Sequence, residues 1–187
     1  MRYAAFTLSL IPCLLQCSLG ERAFAQGTAT GRWTLSETTS PVNYSPLVIA
    51  TTSSRSDSER PPSVLSISCR NGQTEVAVTA NGSPRPGRST DDVMIARQAF
   101  MVTHRVNDQP AVEQRWNAST TGKGASFAGD VVGFLKSLPD RGELNIRMRD
   151  NQGIAHEARF LLDGVSAVRD KVAAACRWPN ASSAPRQ

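Results

Sequence analysis

The chain has 187 residues, a formal net charge of +5 and 20% charged residues. That is too little basic density, too thinly spread, for a nucleic-acid binder. Its length suits one domain able to bury a sizeable core.

Met1-Arg2, an apolar run from Tyr3 to Leu19 and the A-x-A site Ala23-Phe24-Ala25 make residues 1–25 a secretory signal peptide, cut after Ala25. The run is shorter than the roughly 20 residues that span a bilayer, and Pro12 and Gln16 interrupt it. Pro12 and Gln16 also precede Cys13 and Cys17, where lipoprotein processing needs a small residue. Cleavage removes Arg2, Arg22 and Glu21 and lowers the net charge to +4. No later stretch is apolar enough to span a membrane. Of the four cysteines, Cys69 and Cys176 remain. In an oxidising compartment two isolated cysteines most simply pair, which predicts a disulfide closing a loop of over 100 residues.

Residues 27–179 read as a single domain. Trp33 to Thr38 alternates as a first strand. Ser40-Pro41 to Ser45-Pro46 is a rigid turn, because proline drives its predecessor out of helical space. Leu47 to Thr52 is β-branched and apolar, a second strand, and 53–62 is loop. Leu65, Ile67 and Cys69 then alternate with serines, and Val76, Val78 and Ala80 answer them beyond Asn71-Gly72. Asn-Gly favours a two-residue type I′ turn. Pairing Arg70 with Gln73 sets Ile67 opposite Val76 and Leu65 opposite Val78, with both apolar sets on one face.

Asn81 to Gln98, with Gly82, Pro84, Pro86 and Gly87, is predicted to be an exposed loop. Phe100 to Val106 and Val112 to Ser119 form the next strand pair, and a short strand lies near Ser126-Phe127. Asp130 caps a helix whose Val131, Phe134, Leu135 and Leu138 share a face, and Pro139 ends it. Leu144, Ile146 and Met148 alternate with Asn145, Arg147 and Arg149 in a hairpin turning at Asn151-Gln152-Gly153. Pairing Asp150 with Ile154 sets Met148 against His156, Ile146 against Ala158, Leu144 against Phe160 and Arg147 against Glu157. Asp163 and Ser166 are rival caps for a last helix with the stripe Val165, Val168, Val172 and Ala175. Residues 180–187 are a polar, flexible tail. The fold class is mainly β (α+β): an antiparallel, sandwich-like domain of hairpins with two short helices in its C-terminal half.

Nothing in the sequence announces a reaction. His104 and His156 fall on inward faces without metal-ligand spacing. No G-x-S-x-G or S-x-x-K occurs, and Gly122-Lys123-Gly124 lacks the frame of a phosphate loop. Asp91-Asp92 reads as loop solubility, and Trp33, Trp116 and Trp178 as core packing rather than a sugar platform. Arg147, Arg149 and Arg159 share the outer face of the last hairpin as a possible surface contact, although cross-strand pairing with Glu157 explains them sufficiently. No catalytic, metal or cofactor site is expected.

The ordered set Trp33, Ser40-Pro41, Ile67-Ser68-Cys69-Arg70, Thr74-Glu75-Val76, Arg115-Trp116, Phe134-Leu135, Phe160-x-Leu162-x-Gly164 and Cys176-Arg177-Trp178 resembles the VasI/TagO family of type VI secretion-associated proteins. The resemblance covers about Gly31 to Trp178. It implies a periplasmic accessory protein, offers no catalytic residues to carry over, and matches Cys69 and Cys176 to the family's two cysteines. Asn43-Tyr44 stands where acidic residues are usual, and His104 where an aromatic is usual. The expectation is an exported, non-enzymatic accessory or binding protein with a periplasmic or envelope protein as partner. The alternatives are an envelope-polymer hydrolase and an inhibitor presenting Asn81 to Gln98 as a reactive loop.

Overall fold

Period-two alternation dominates the chain, and the computed structural model turns it into strands. It describes residues 28–55, 62–79, 99–119, 124–149 and 155–179. These form β1 (Thr28–Thr30), β2 (Trp33–Thr39), β3 (Pro46–Ser53), β4 (Val64–Arg70), β5 (Gln73–Thr79), β6 (Ala99–Val106), β7 (Val112–Ala118), β8 (Ala125–Ser126), α1 (Val131–Ser137), β9 (Glu143–Arg149), β10 (Ala155–Leu161) and α2 (Val165–Cys176). The mainly antiparallel β domain with two helices is therefore present.

One ten-stranded sheet runs in the order β1-β2-β3-β4-β5-β8-β7-β6-β9-β10. The two-residue β8 joins its halves, pairing with β5 on one side and β7 on the other. The far end curls back, and the Arg55 backbone N–H donates to the Arg159 carbonyl at 2.8 Å. Both halves feed one core that includes Trp33, Ile67, Val102, Trp116, Leu144, Ile146 and Phe160. The sandwich-like arrangement is thus a single sheet folded over its own apolar face.

The β4–β5 turn puts Asn71 at φ 53° and Gly72 at φ 74°, the two positive values that a type I′ turn needs. Arg70 pairs with Gln73, Ile67 with Val76 and Leu65 with Val78, the register the alternation demands. The β9–β10 register also agrees: Met148 with His156, Arg147 with Glu157, Ile146 with Ala158 and Leu144 with Phe160. Residues 80–98 and 150–154, which hold the predicted loop and the Asn151-Gln152-Gly153 turn, lie outside the described residues, as do 1–27 and 180–187.

The Asp130 side chain accepts the Gly133 N–H at 2.8 Å and starts α1 as predicted. Glycine at 133 leaves room for this approach, since a Cβ there would press on the Asp130 carboxylate and make that side chain shift. For α2 the expectation fails, because neither Asp163 nor Ser166 caps it. Gly164, at φ 92°, precedes the helix without a side-chain cap. The Val165 N–H instead donates to the Leu162 carbonyl at 2.8 Å, so a backbone turn satisfies the donor that a side chain would have served. The buried stripe of α2 is Val165, Val168, Val172 and Cys176, and it packs on β2 to β5; Ala175 is only partly buried. At the other end Arg177 adopts φ 52°, and the Trp178 N–H returns to the Ala173 carbonyl at 3.0 Å.

The two helices are joined by a residue that alternation does not reveal. Arg169 of α2 donates to the carbonyls of Leu138 (2.8 Å) and Leu135 (3.2 Å) and pairs with Asp140. It thereby satisfies acceptors that the end of α1 leaves unpaired. Among the described residues no helix is long and apolar enough to cross a membrane.

Candidate functional site

Two places gather polar side chains, one inside the fold and one outside. The interior one centres on His104, which β6 turns inward beside Val102 and Val106. It is 7% exposed and packs against Trp116 of β7, Phe127 after β8 and Phe134 of α1. The Phe134 ring meets it edge-on with centroids 5.4 Å apart, and Phe127 stacks on Phe134 at 4.4 Å. His104 Nδ1 has no hydrogen-bond partner, and desolvation by burial lowers the imidazole pKa from its ordinary 6.5. A ring packed among aromatics, with no carboxylate bonded to Nδ1 to orient it, serves here as a core residue, although position 104 also contributes to the lining of the groove on the sheet's outer side.

His156 lies half-buried on β10 opposite Met148, and β9 stands between its strand and β6, which carries His104. Among the described residues no group of three His, Cys, Asp or Glu could hold a metal ion. Trp33 and Trp116 are buried in the core, and the Trp178 indole donates to Thr74 Oγ1 at 2.7 Å. Trp33 and Trp116 therefore present no face for sugar stacking, and Trp178 is partly buried against the core. Asp91-Asp92 and Gly122-Lys123 lie outside the described residues.

The exterior site is built by the outward-facing positions of β6, β9 and β10. Register sets Thr103, Arg147 and Glu157 in one cross-strand row and Arg105, Asn145 and Arg159 in the next. Arg55, carried in by its backbone bond to Arg159, closes one side. The result is an open groove of about 660 Å³ with four arginines (55, 105, 147 and 159) and one acid, Glu157, among its lining. A neighbouring row places exposed Met101 between Arg115 of β7 and Arg149 of β9. Of the arginines singled out by sequence, Arg147 and Arg159 enter the groove and Arg149 stands one row away.

The acids here hold their partners weakly. Arg147 Nε lies 3.2 Å from Glu157, and Arg159 Nε lies 3.6 Å from Glu143 and 3.2 Å from Asn145 Oδ1. Both arginines are more than half exposed or close to it, at 50% and 59%. Pairs so placed contribute about 0–1 kcal/mol and exchange readily. No ion pair among the described residues engages Arg55 or Arg105. Sequence reasoning missed both of these: Arg105 could have been read from its outward phase in β6, whereas Arg55 follows β3 in a segment with no periodicity.

At the opposite tip, the β2–β3 turn exposes Val42 (89%) and Tyr44 (82%). Tyr44 is held at φ 53° by its N–H bond to the Ser40 carbonyl, and Asn43 Nδ2 donates to Asn71 Oδ1 at 2.9 Å. The rigidity predicted for this turn is thereby supplied by cross-hairpin amide contacts as well as by proline.

Cys69 on β4 and Cys176 at the end of α2 form a disulfide with Cα atoms 5.6 Å apart. These features define a disulfide-tied, mainly antiparallel β domain with a helix packed on one half of its sheet. No family model and no curated protein matches the chain. Among solved structures, the crystal structure of invasion associated protein B from Bartonella henselae is similar at 13% identity and a TM-score of 0.47, covering 80% of this chain and 95% of that one.

Proposed function

We propose that this chain is an exported, non-enzymatic accessory protein that works in the periplasm by binding a partner protein, in association with a type VI secretion system as its resemblance to VasI/TagO proteins implies. The observation that carries the reading is the Cys69–Cys176 bridge. Such a bond persists in an oxidising compartment, and the signal-like residues 1–25 supply the route there. Binding rather than chemistry is supported by the enclosure of His104 and by the outward display of guanidinium groups on a rigid sheet.

Mass measurement of the chain recovered from the periplasm should give a protein beginning at Gln26 and lighter by two hydrogens. A cytoplasmic chain with two free thiols would remove the export reading. Cross-linking in intact cells should capture one discrete partner, and recovery of bulk protein alone counts against a binding role. Deleting the gene should reduce effector release by the secretion system; unchanged release separates the protein from that pathway. Peptidoglycan turnover by the purified protein, abolished by one Asp, Glu or His substitution, would make it a hydrolase instead.

A further inference from the structure

We infer that the groove between β6, β9 and β10 is the partner-binding surface, and that it takes an acidic protein segment carrying one basic residue among its acids. The inference rests on the binding role proposed above and deepens it by naming the partner's chemistry. Every cation in the groove is an arginine. Arginine, with methionine, is enriched at protein interfaces where lysine is depleted, and Met101 stands exposed in the adjoining row. The planar guanidinium donates paired N–H bonds to a carboxylate side-on. Arg147 and Arg159 already hold protein carboxylates in the free molecule, through contacts exposed enough to be exchanged for others.

The sign pattern narrows the class further. Arg105 and Arg159 share one row, while Glu157 stands 69% exposed beside Arg147 in the next. A uniform polyanion, whether a sulfated glycan or an anionic bilayer, must place negative charge over Glu157. A peptide can set a lysine or arginine there and keep acids over Arg55, Arg105 and Arg159. Like charge placed face to face rejects the wrong partner more strongly than a matched pair attracts the right one. Glu157 therefore acts as the specificity element and the arginines as anchors.

The test uses the full mature chain and two labelled twelve-residue peptides, one of alternating Glu and Gly, the other identical but for a central Lys. Fluorescence anisotropy at low salt should show the lysine-centred peptide binding about fivefold tighter, the upper range for one exposed charge pair. Arg105→Ala and Arg159→Ala should each weaken it by about fivefold. Glu157→Gln should remove the preference between peptides, and all three variants should keep the wild-type thermal midpoint. Equal affinity of wild type and both arginine variants overturns the inference. So does tighter binding to vesicles of anionic lipid or to dextran sulfate than to either peptide, or self-association of the chain through this face. A partner captured in cells that binds the Arg105→Ala and Arg159→Ala variants undiminished overturns the groove while leaving the accessory role standing. Capture of no partner, with both peptides bound as described, overturns the role and leaves the groove.

Discussion

Replacing Cys69 and Cys176 together by alanine releases a covalent tie between residues 107 apart in sequence. In the chain-entropy relation a loop of that length removes about 16 cal/mol/K from the unfolded ensemble, or about 5 kcal/mol at 25 °C. Removing two sulfur atoms from a site where Cys69 is wholly buried adds about 1 kcal/mol for lost packing. The folded stability of such a domain is on the order of 5–15 kcal/mol, so the variant should sit near the edge of folding. Urea unfolding followed by tryptophan fluorescence suits the measurement, since Trp178 bonds Thr74, the cross-strand partner of Cys69, and Trp33 and Trp116 report the core. The variant's midpoint should fall steeply and its m-value should rise, because an unbridged unfolded chain exposes more surface. Wild type under reducing agent should behave alike. A loss below about 1 kcal/mol, with a normal m-value, would refute the view that loop closure sets this bond's contribution.

Burial holds the His104 pKa below 6.5, so the unfolded chain takes up a proton there before the folded chain does. Stability should accordingly be full above pH 6.5 and decline as the pH falls from 6.5 toward the folded-state value. His104→Phe should gain about 1 kcal/mol by removing the unpartnered Nδ1 and should flatten that decline, as read from unfolding midpoints between pH 7.5 and 4.5. An unchanged pH profile would show that other groups govern it. Arg169→Ala should cost about 2 kcal/mol, since two carbonyls of the α1 terminus lose their donor. Arg169→Lys should restore only part, because one ammonium cannot span both carbonyls and Asp140; a lysine variant as stable as wild type counts against this. At Gly124, φ is +109° and an added Cβ would overlap the Val78 carbonyl and the Thr79 backbone, so Gly124→Ala should cost at least about 3 kcal/mol and loosen β8. Amide exchange at Phe127, whose N–H donates to Val76, would report it, and retained protection there would contradict the reasoning.

The parts of the fold legible in the sequence are those where one local rule leaves a single register. Asn71-Gly72 fixes the turn, and a one-residue slip would turn Leu65, Ile67, Val76 and Val78 outward. The β9–β10 pairing followed in the same way from Leu144, Ile146 and Met148. What stayed hidden depends on distant segments meeting. The cap of α2 is a backbone turn that no side chain signals, and the short strand expected near Ser126-Phe127 gave no sign that, as β8, it would bridge β5 and β7. The groove was half legible. Arg147 and Arg159 share an outward phase that can be counted, but Arg55 reaches them only because β10 curls round to the end of β3.

The tie between β4 and the end of α2 also bears on what happens when the backbone is cut. A single peptide bond broken anywhere between Cys69 and Cys176 leaves two pieces that are still one molecule. Their reassembly stays unimolecular and independent of dilution, and the pieces separate on a gel only after reduction. A scission that would scatter an unbridged chain is thereby reduced to a local opening, which the core on either side can close again.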